Sequence, residues 1–449
     1  MKKLTTGILM SFFVVMGLAH AENNRYHPNH LFIKMKAGES LVNSPLIKSS
    51  KNMFGSLYLV KTADADKLAK ELKGSEAIEY VQKDFYAEKR PMPKHEVLDE
   101  AGIFLKNLQH FDFSTSFNDP DVSKLWAFND KAGLNVIGAY DSLPARQPKE
   151  IIVAVVDTGV DHNHEDLKDI MWTNEKEIAG NGIDDDNNGY IDDIHGINTL
   201  VRDAEGNATM DTMASHWHGT HVSGTIAATQ NNGIGIAGVA NNVKIMAIRT
   251  VPDNSDELDS DIVEGFLYAA KMGAKVINCS FGKKHNEGGM VVRDTMNRIS
   301  RKGVLVVVSA GNDSMGPFSW HDNDEDAKYP ASFDSNNMLV IASTTSNGGL
   351  SSFSNIGPMT VDVGSPGSNV YSTINGNRYS MASGTSMAAP NASGVAAMVM
   401  GYYPNLKNTT VKKVLMDTVT KVPEFEGKIV SGGRLSLKAA LEKAKTLKR

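Results

Sequence analysis

Cysteine is almost missing: Cys279 is the single one in 449 residues, so no disulfide can form within the chain. Long hydrophobic runs are missing too, since no segment reaches the roughly 20 apolar residues that a helix needs to cross a bilayer. Charge of one sign is equally scarce. Against 52 Asp and Glu stand 46 Lys and Arg, a formal net charge of -6, without polybasic tracts or interleaved aromatic and basic residues. That pattern excludes nucleic acid and anionic lipid as main partners. Internal repeats and low-complexity tracts are also lacking, which sets aside solenoids and arrays.

What is present begins with a distinct N-terminus. Lys2 and Lys3 precede an apolar run from Ile8 to Leu18, and Ala19 and Ala21 are small residues at both cleavage-determining positions. Residues 1–21 read as a secretory signal peptide cut after Ala21, and the run is too short for the alternative, a membrane anchor. Export to the periplasm or the medium, with no lasting membrane insertion, is the expectation. An exported protein without disulfides must draw its stability from elsewhere. Cys279, in KVINCSF, reads as a small buried hydrophobe.

Two zones follow. Residues 22–90 carry short alternating strands (LFIKMK, SLYLVK, IEYVQKD) and a helix beginning near Asp64 with Leu68 and Leu72 at helical spacing, a small α+β unit of ferredoxin-like kind. Residues 91–116 contain Pro91 and Pro93 without a sustained period, which suits an exposed, protease-accessible linker. From residue 117 to 449, apolar β-branched runs (EIIVAVVD, VKIMAIRTV, AKVINCSF, GVLVVVSAG, MLVIAST) alternate with helical segments. Such alternation predicts an α/β domain of three layers with a mainly parallel central sheet, its ligand site at the C-terminal ends of the strands.

Three segments concentrate polar groups there. VVDTGVDHNHEDL sets a carboxylate directly after a buried strand, SHWHGTHVSGTIAA opens an apolar helix with a histidine, and SGTSMAAPNASGVAAM opens another with a serine. A hydroxyl is a poor nucleophile unless a base takes its proton, and that base needs a partner fixing its tautomer. Gly384, Ala388 and Ala389 around Ser386 allow a backbone to approach a helix N-terminus, where free N–H groups stabilise an anion. Asn312, in SAGN after a strand, offers a second donor. Taken singly, the aspartate reads as a turn cap, the histidine as structural and the serine as an N-cap; together they read as a catalytic set.

The four segments DTGVD from Asp157, HGTHVSGT from His218, SAGN ending at Asn312 and GTSMAAP around Ser386 resemble those of the subtilisin-like serine proteases, the subtilases, in the order Asp, His, Ser. The resemblance implies that Asp157, His218 and Ser386 form a triad and that Asn312 and the Ser386 N–H form the oxyanion hole. It also implies that Ser280, Phe281 and Gly282 pair with an extended protein or peptide substrate, and that Ala310 and Gly311 wall its primary specificity pocket. Residues 22–90 resemble the inhibitory prodomain of that family, an intramolecular inhibitor in a self-processed secreted endopeptidase. Asp313 is expected either to favour basic side chains at the pocket rim or to be a solvated surface acid. His221 reads as structural, since the further ligands of a zinc site are not evident. A binding or chaperone-like protein that keeps the fold without turnover, and a metallopeptidase, are the competing readings.

GNGIDDDNNGYIDDIHG is the strongest metal signal. Asp184, Asp186, Asn188, Gly189, Tyr190 and Asp192 fall at positions one, three, five, six, seven and nine of an EF-hand-like loop, which predicts structural calcium. His195 stands at position twelve, where glutamate is usual, and Asp193 is the substitute acid. An acidic solvated loop is the alternative. The family resemblance adds a second calcium site from Asp166, Asn232 and Asp119.

Overall fold

The computed structural model describes residues 26–85, 117–253, 257–284, 289–316 and 319–447. The signal-peptide and linker expectations lie outside these residues.

The N-terminal unit consists of β1 (Tyr26–Met35), β2 (Ile47–Phe54), β3 (Leu57–Thr62), α1 (Ala65–Leu72) and β4 (Ile78–Phe85). Its antiparallel sheet has the order β2-β3-β1-β4, the ferredoxin-like order with a single helix. Asp64 caps α1 by accepting the Lys67 N–H at 2.9 Å. Period-two alternation assigns the faces: Leu31, Ile33 and Met35 of β1 pack on Leu68 and Leu72 of α1, while Phe32 faces the other way. The sequence reading misses β2 because IKSSKNMF is an exposed edge strand with almost no apolar alternation.

The larger unit runs α2 (Val136–Tyr140), β5 (Ile151–Asp157), β6 (Gly196–Arg202), β7 (Ala208–Thr209), α3 (His218–Ala227), β8 (Val243–Arg249), α4 (Asp259–Lys271), β9 (Val276–Cys279), α5 (Val291–Ser300), β10 (Leu305–Ser309) and β11 (Met338–Thr344). It closes with β12 (Val363–Pro366), the hairpin β13 (Val370–Ile374) and β14 (Arg378–Ala382), α6 (Thr385–Tyr402), α7 (Asn408–Asp417), β15 (Thr420–Lys421), β16 (Gly433–Arg434) and α8 (Leu437–Leu447). Ten strands form one sheet, ordered β15-β16-β12-β11-β10-β9-β5-β8-β6-β7, with antiparallel pairs only at its two edges. Both faces are covered, which is why its strands read as unbroken apolar runs. From β5, Val153 and Val155 join the core under α3, α6, α7 and α8; Ala154 and Val156 join the core under α4 and α5. The fold is the expected three-layer α/β domain with a mainly parallel sheet.

The N-terminal sheet sits against α4 and α5 and completes them. Neither helix has a capping side chain of its own at its N-cap, Leu258 or Met290. Asp84 accepts the Ser260 N–H at 2.9 Å, and the Gln82 side-chain oxygen accepts the Met290 and Val291 N–H groups at 2.6 and 2.9 Å. Donors left over at two helix starts are thus satisfied by the other unit. Phe32, Phe54 and Leu57 share one apolar cluster with Ile262, Val263 and Phe266 of α4, and Lys51 pairs with Glu264 at 2.9 Å.

Candidate active site

Strands β5, β9 and β10 are parallel neighbours, so Asp157, Ser280 and the 310–312 segment leave the sheet at the same edge. Asp157 is 1% exposed. Its Oδ1 accepts the Thr158 N–H at 2.8 Å and lies 2.7 Å from His218 Nδ1. A carboxylate partner assigns the proton to Nδ1 and leaves Nε2 as the basic nitrogen. The helix carrying His218 reaches this close because Gly219 follows: a Cβ there would stand 2.1 Å from the Gly159 carbonyl oxygen and 3.2 Å from Asp157 Cβ.

Ser386 is the second residue of α6, so its N–H has no acceptor within the helix. Its Oγ donates to the Ser280 carbonyl at 3.1 Å, and Ser280 Oγ donates to the Ser386 carbonyl at 2.9 Å. Asn278 fixes Ser280 through a 2.9 Å bond and is itself held by Ser393, about two turns further along α6 on the Ser386 face. Asn312 is fixed at its oxygen end, which accepts from the Thr385 N–H at 2.8 Å and the Thr385 hydroxyl at 2.9 Å. An amide engaged at its oxygen keeps its N–H₂ end as a donor. The sequence reading missed Thr385 and the Ser280 hydroxyl; their signal was their adjacency to Ser386 and to the 280–282 strand.

The residues that the resemblance assigns to substrate pairing and to the pocket wall are tightly packed. Gly282 has no room for bulk, since a Cβ would lie 3.1 Å from the Tyr329 carbonyl, and Gly311 takes φ +111° with Asn355 Nδ2 2.4 Å from its would-be Cβ. Lys283, the residue after Gly282, is buried; its Nζ donates to the Phe85 carbonyl at 2.9 Å and pairs with Asp259 at 2.6 Å. The end of β4 is thereby fastened beside the 280–282 segment. Asp313 corrects an expectation: its carboxylate accepts from Lys328 Nζ at 2.9 Å and Asn355 Nδ2 at 3.1 Å, so it is neither a solvated acid nor an open partner for a basic side chain.

In the acidic loop, the carboxylates of Asp184 and Asp186 converge with that of Glu177, their ligand atoms all within 4.8 Å of one another. Asp186 Oδ1 is buried without a hydrogen-bond partner. A triple of acids with an orphaned oxygen fits a hard cation. Gly189 takes φ +95°, the turn expected at position six. Other loop residues are turned to different work. Asp192 accepts the Gly180, Asn181 and Gly182 N–H groups, at 2.7, 3.2 and 3.0 Å. Asp193 is buried among neutral donors, Tyr268, Asn188 and Asn174, and burial raises its pKa. Asn188 spends its amide on Asp193 and the Tyr190 N–H, and the Tyr190 hydroxyl donates to Glu264. Glu177 had been missed because it stands outside the repeat, seven residues before Asp184.

Asp119, Asp166 and Asn232 do come together. Asn232 Nδ2 donates to Asp166 at 2.8 Å, and Asp119 accepts the Asn231 and Asn232 N–H groups at 2.9 and 3.0 Å. Burial pushes Asp166 up to about 6, and the nearby charge of Asp119 adds to the rise. Asp119 is raised as well, by burial, and two neighbouring buried carboxylates fit a cation here too. His221 is fully buried; its Nε2 faces the Val370 and Ser380 carbonyls at 3.1 and 3.3 Å, and burial lowers its pKa to about 3. It ties α3 to the β13–β14 hairpin, the structural role expected. Cys279 is buried within the sheet, and burial raises its thiol pKa well above the ordinary value.

Among the described residues no helix is long and apolar enough to cross a membrane. Comparison with known proteins adds the following. The chain is 34% identical over 340 residues to subtilisin-like protease 1 of Plasmodium berghei, covering 73% of this chain and 55% of that one. It is 35% identical over 284 residues to a thermophilic serine proteinase of Bacillus sp. strain AK1, covering 63% and 59%. An extracellular protease of Xanthomonas campestris is 32% identical over 328 residues, covering 68% and 53%. The chain thus spans about half the length of these curated relatives. A solved protease structure from Pseudoalteromonas arctica matches with a TM-score of 0.56 and 28% identity, over 73% of this chain and 99% of that one. Residues 148–432 match the profile of the subtilase family, peptidase S8. The chain belongs to the subtilase family.

Proposed function

We propose that this chain is the precursor of an exported serine endopeptidase that cuts protein substrates through an acyl-enzyme. The observation that carries the reading is the 2.7 Å bond between buried Asp157 and His218 Nδ1, beside a serine held at the next strand end. Ser386 Oγ exchanges its bond to the Ser280 carbonyl for one to His218 Nε2, gives up its proton and attacks the substrate carbonyl. The charge that develops on the carbonyl oxygen is met by the Ser386 N–H and the Asn312 amide. His218 then returns the proton to the leaving amine, and water repeats the sequence on the acyl-enzyme. Backbone pairing along Ser280, Phe281 and Gly282 holds the substrate extended, which tolerates many sequences.

Residues 22–90 act as intramolecular inhibitor and folding template, and 91–116 contain the processing site. Two features support this part: Asp84 and Gln82 cap α4 and α5, and Lys283 fastens the end of β4 to the edge of the cleft. Calcium neutralises acids that would otherwise repel each other, held by Asp184, Asp186 and Glu177 in one site and by Asp119, Asp166 and Asn232 in the other.

N-terminal sequencing of the exported protein, beside its Ser386→Ala variant, tests the reading. The expected result is a wild-type start within 91–117 and a variant that keeps residues 22–90 attached. A variant matured at the same position would overturn self-processing.

A further inference from the structure

One buried charge in the cleft takes no part in the chemistry above. Lys328, its side chain 7% exposed, donates from Nζ to Asp313 Oδ2 at 2.9 Å. Its stem passes Gly282, 3.7 Å (Cγ) and 3.8 Å (Cε) from where a Cβ there would stand. Its far end meets the opposite wall, because Asp313 Oδ2 lies 3.3 Å from the would-be Cβ of Gly311. Lys328 therefore bridges the slot between the two walls. Asp313 cannot swing aside: its N–H donates to Asn355 Oδ1 at 2.7 Å, and Asn355 also binds the Gly311 carbonyl and Asn323. Asn323 in turn donates to the Ala310 carbonyl at 2.8 Å. Wall, acid and lysine are one hydrogen-bonded body. Among the described residues a second cation faces Asp313: Lys284, whose Nζ lies 4.0 Å from Oδ1.

We propose that the Lys328–Asp313 pair is the floor of the primary specificity pocket, making it shallow and selective for small or short polar side chains in the residue preceding the scissile bond. The inference rests on the protease reading and names its substrate class. An aromatic side chain would have to displace the buried Lys328 ammonium and take from the part-buried Asp313 its nearest cation, a cost set against the area the ring would bury. A basic side chain meets the Lys328 ammonium before the carboxylate, and the carboxylate is already neutralised. A short amide or hydroxyl fits above the pair.

The test compares kcat/KM among peptides differing only at the residue preceding the cut, with Ala, Gln, Phe, Arg or Glu there. Each enzyme is read as the ratio to its own Ala peptide, so loss of overall activity cancels. For the processed wild type, Gln stays near Ala while Phe and Arg fall about tenfold or more below it. In Lys328→Ala the Phe and Arg ratios both rise, Phe because the slot deepens and Arg because Asp313 is bared. Adding Asp313→Asn keeps the Phe gain and removes the Arg gain. Lys328→Met, close in volume and uncharged, keeps Phe excluded. If Lys328→Ala does not fold, Asp313→Asn carries the test alone, raising the Glu ratio by leaving Lys328 unpaired. A wild type that prefers Phe or Arg, or ratios unmoved by these changes, overturns the proposal. Failure of the protease reading looks different: no peptide is cut, or Ser386→Ala cuts as fast as wild type.

Discussion

The Asp157 edge of the central sheet and the 177–193 loop both gather carboxylates and amides, yet they collect their partners from opposite distances. At the sheet edge, bonds join residues 61, 73 and 106 positions apart: Asp157 to His218, Asn312 to Thr385, Ser280 to Ser386. In the loop they span 4, 5 and 9 positions: Asn188 and Gly189 to Asp184, and Asp186 to Glu177. A site assembled from remote strands depends on the whole domain having folded, and its groups keep reactive positions because other elements hold them. The loop's acids are turned toward one another mainly by local bonds, though Tyr268 and Glu264 anchor it to α4, and the charge it concentrates is what the proposed calcium would neutralise. Changes at the first should alter chemistry and spare stability; changes at the second should do the reverse.

The largest expected effect is at the orienting acid. Asp157→Asn keeps a side chain of the same shape but selects the wrong imidazole tautomer, and kcat should fall about 10⁴-fold. Its thermal midpoint should stay close to that of wild type; a parallel loss of stability would blur the contrast. Asn312→Ala should cost about 10²- to 10³-fold in kcat, with KM little changed, because the amide is used only when the oxyanion forms. Steady-state kinetics on one peptide series reads both.

Smaller effects belong to the loop. With calcium at about 100 times its dissociation constant, binding adds about 2.7 kcal/mol, a few degrees to about 10 °C in a domain of this size. Asp184→Asn with Asp186→Asn should abolish part of the melting-temperature drop that a chelator causes in wild type, leaving kcat of the folded enzyme unchanged. Equal drops in variant and wild type would remove these acids from the calcium account. The smallest effect at neutral pH is titration of His221. Its pKa is about 3 folded against the ordinary 6.5, so the unfolded state binds a proton first. Stability is unaffected above pH 6.5 and declines as pH falls from there toward 3. Denaturant midpoints at saturating calcium should therefore fall less steeply with acid in His221→Phe than in wild type.

Legibility in the sequence followed the same division. The buried strands were legible because both faces of β5 are covered, giving IIVAVVD without interruption. The polar edge strand β2 and the two-residue strands β15 and β16 were not, having too little apolar pattern. The residues proposed as catalytic stood out by motif, since glycine and alanine must surround them for steric reasons that Gly219 illustrates. Their supports did not: Thr385, Asn278 and Lys328 are ordinary residues until tertiary structure gives them partners. For the loop, composition was legible and ligand assignment was not. Which acids converge depends on turn geometry, and that geometry spends Asp192 on three backbone N–H groups and brings in Glu177.

The central claim is that Ser386 is a nucleophile activated by the His218–Asp157 pair. Its most direct test is labelling of the folded, processed protein with a fluorophosphonate, with the modified residue mapped by mass spectrometry. The account predicts one label, on Ser386, absent in Ser386→Ala and formed far more slowly in Asp157→Asn. Correctly folded, processed protein that takes no label, or labels at the same rate without Asp157, would contradict it.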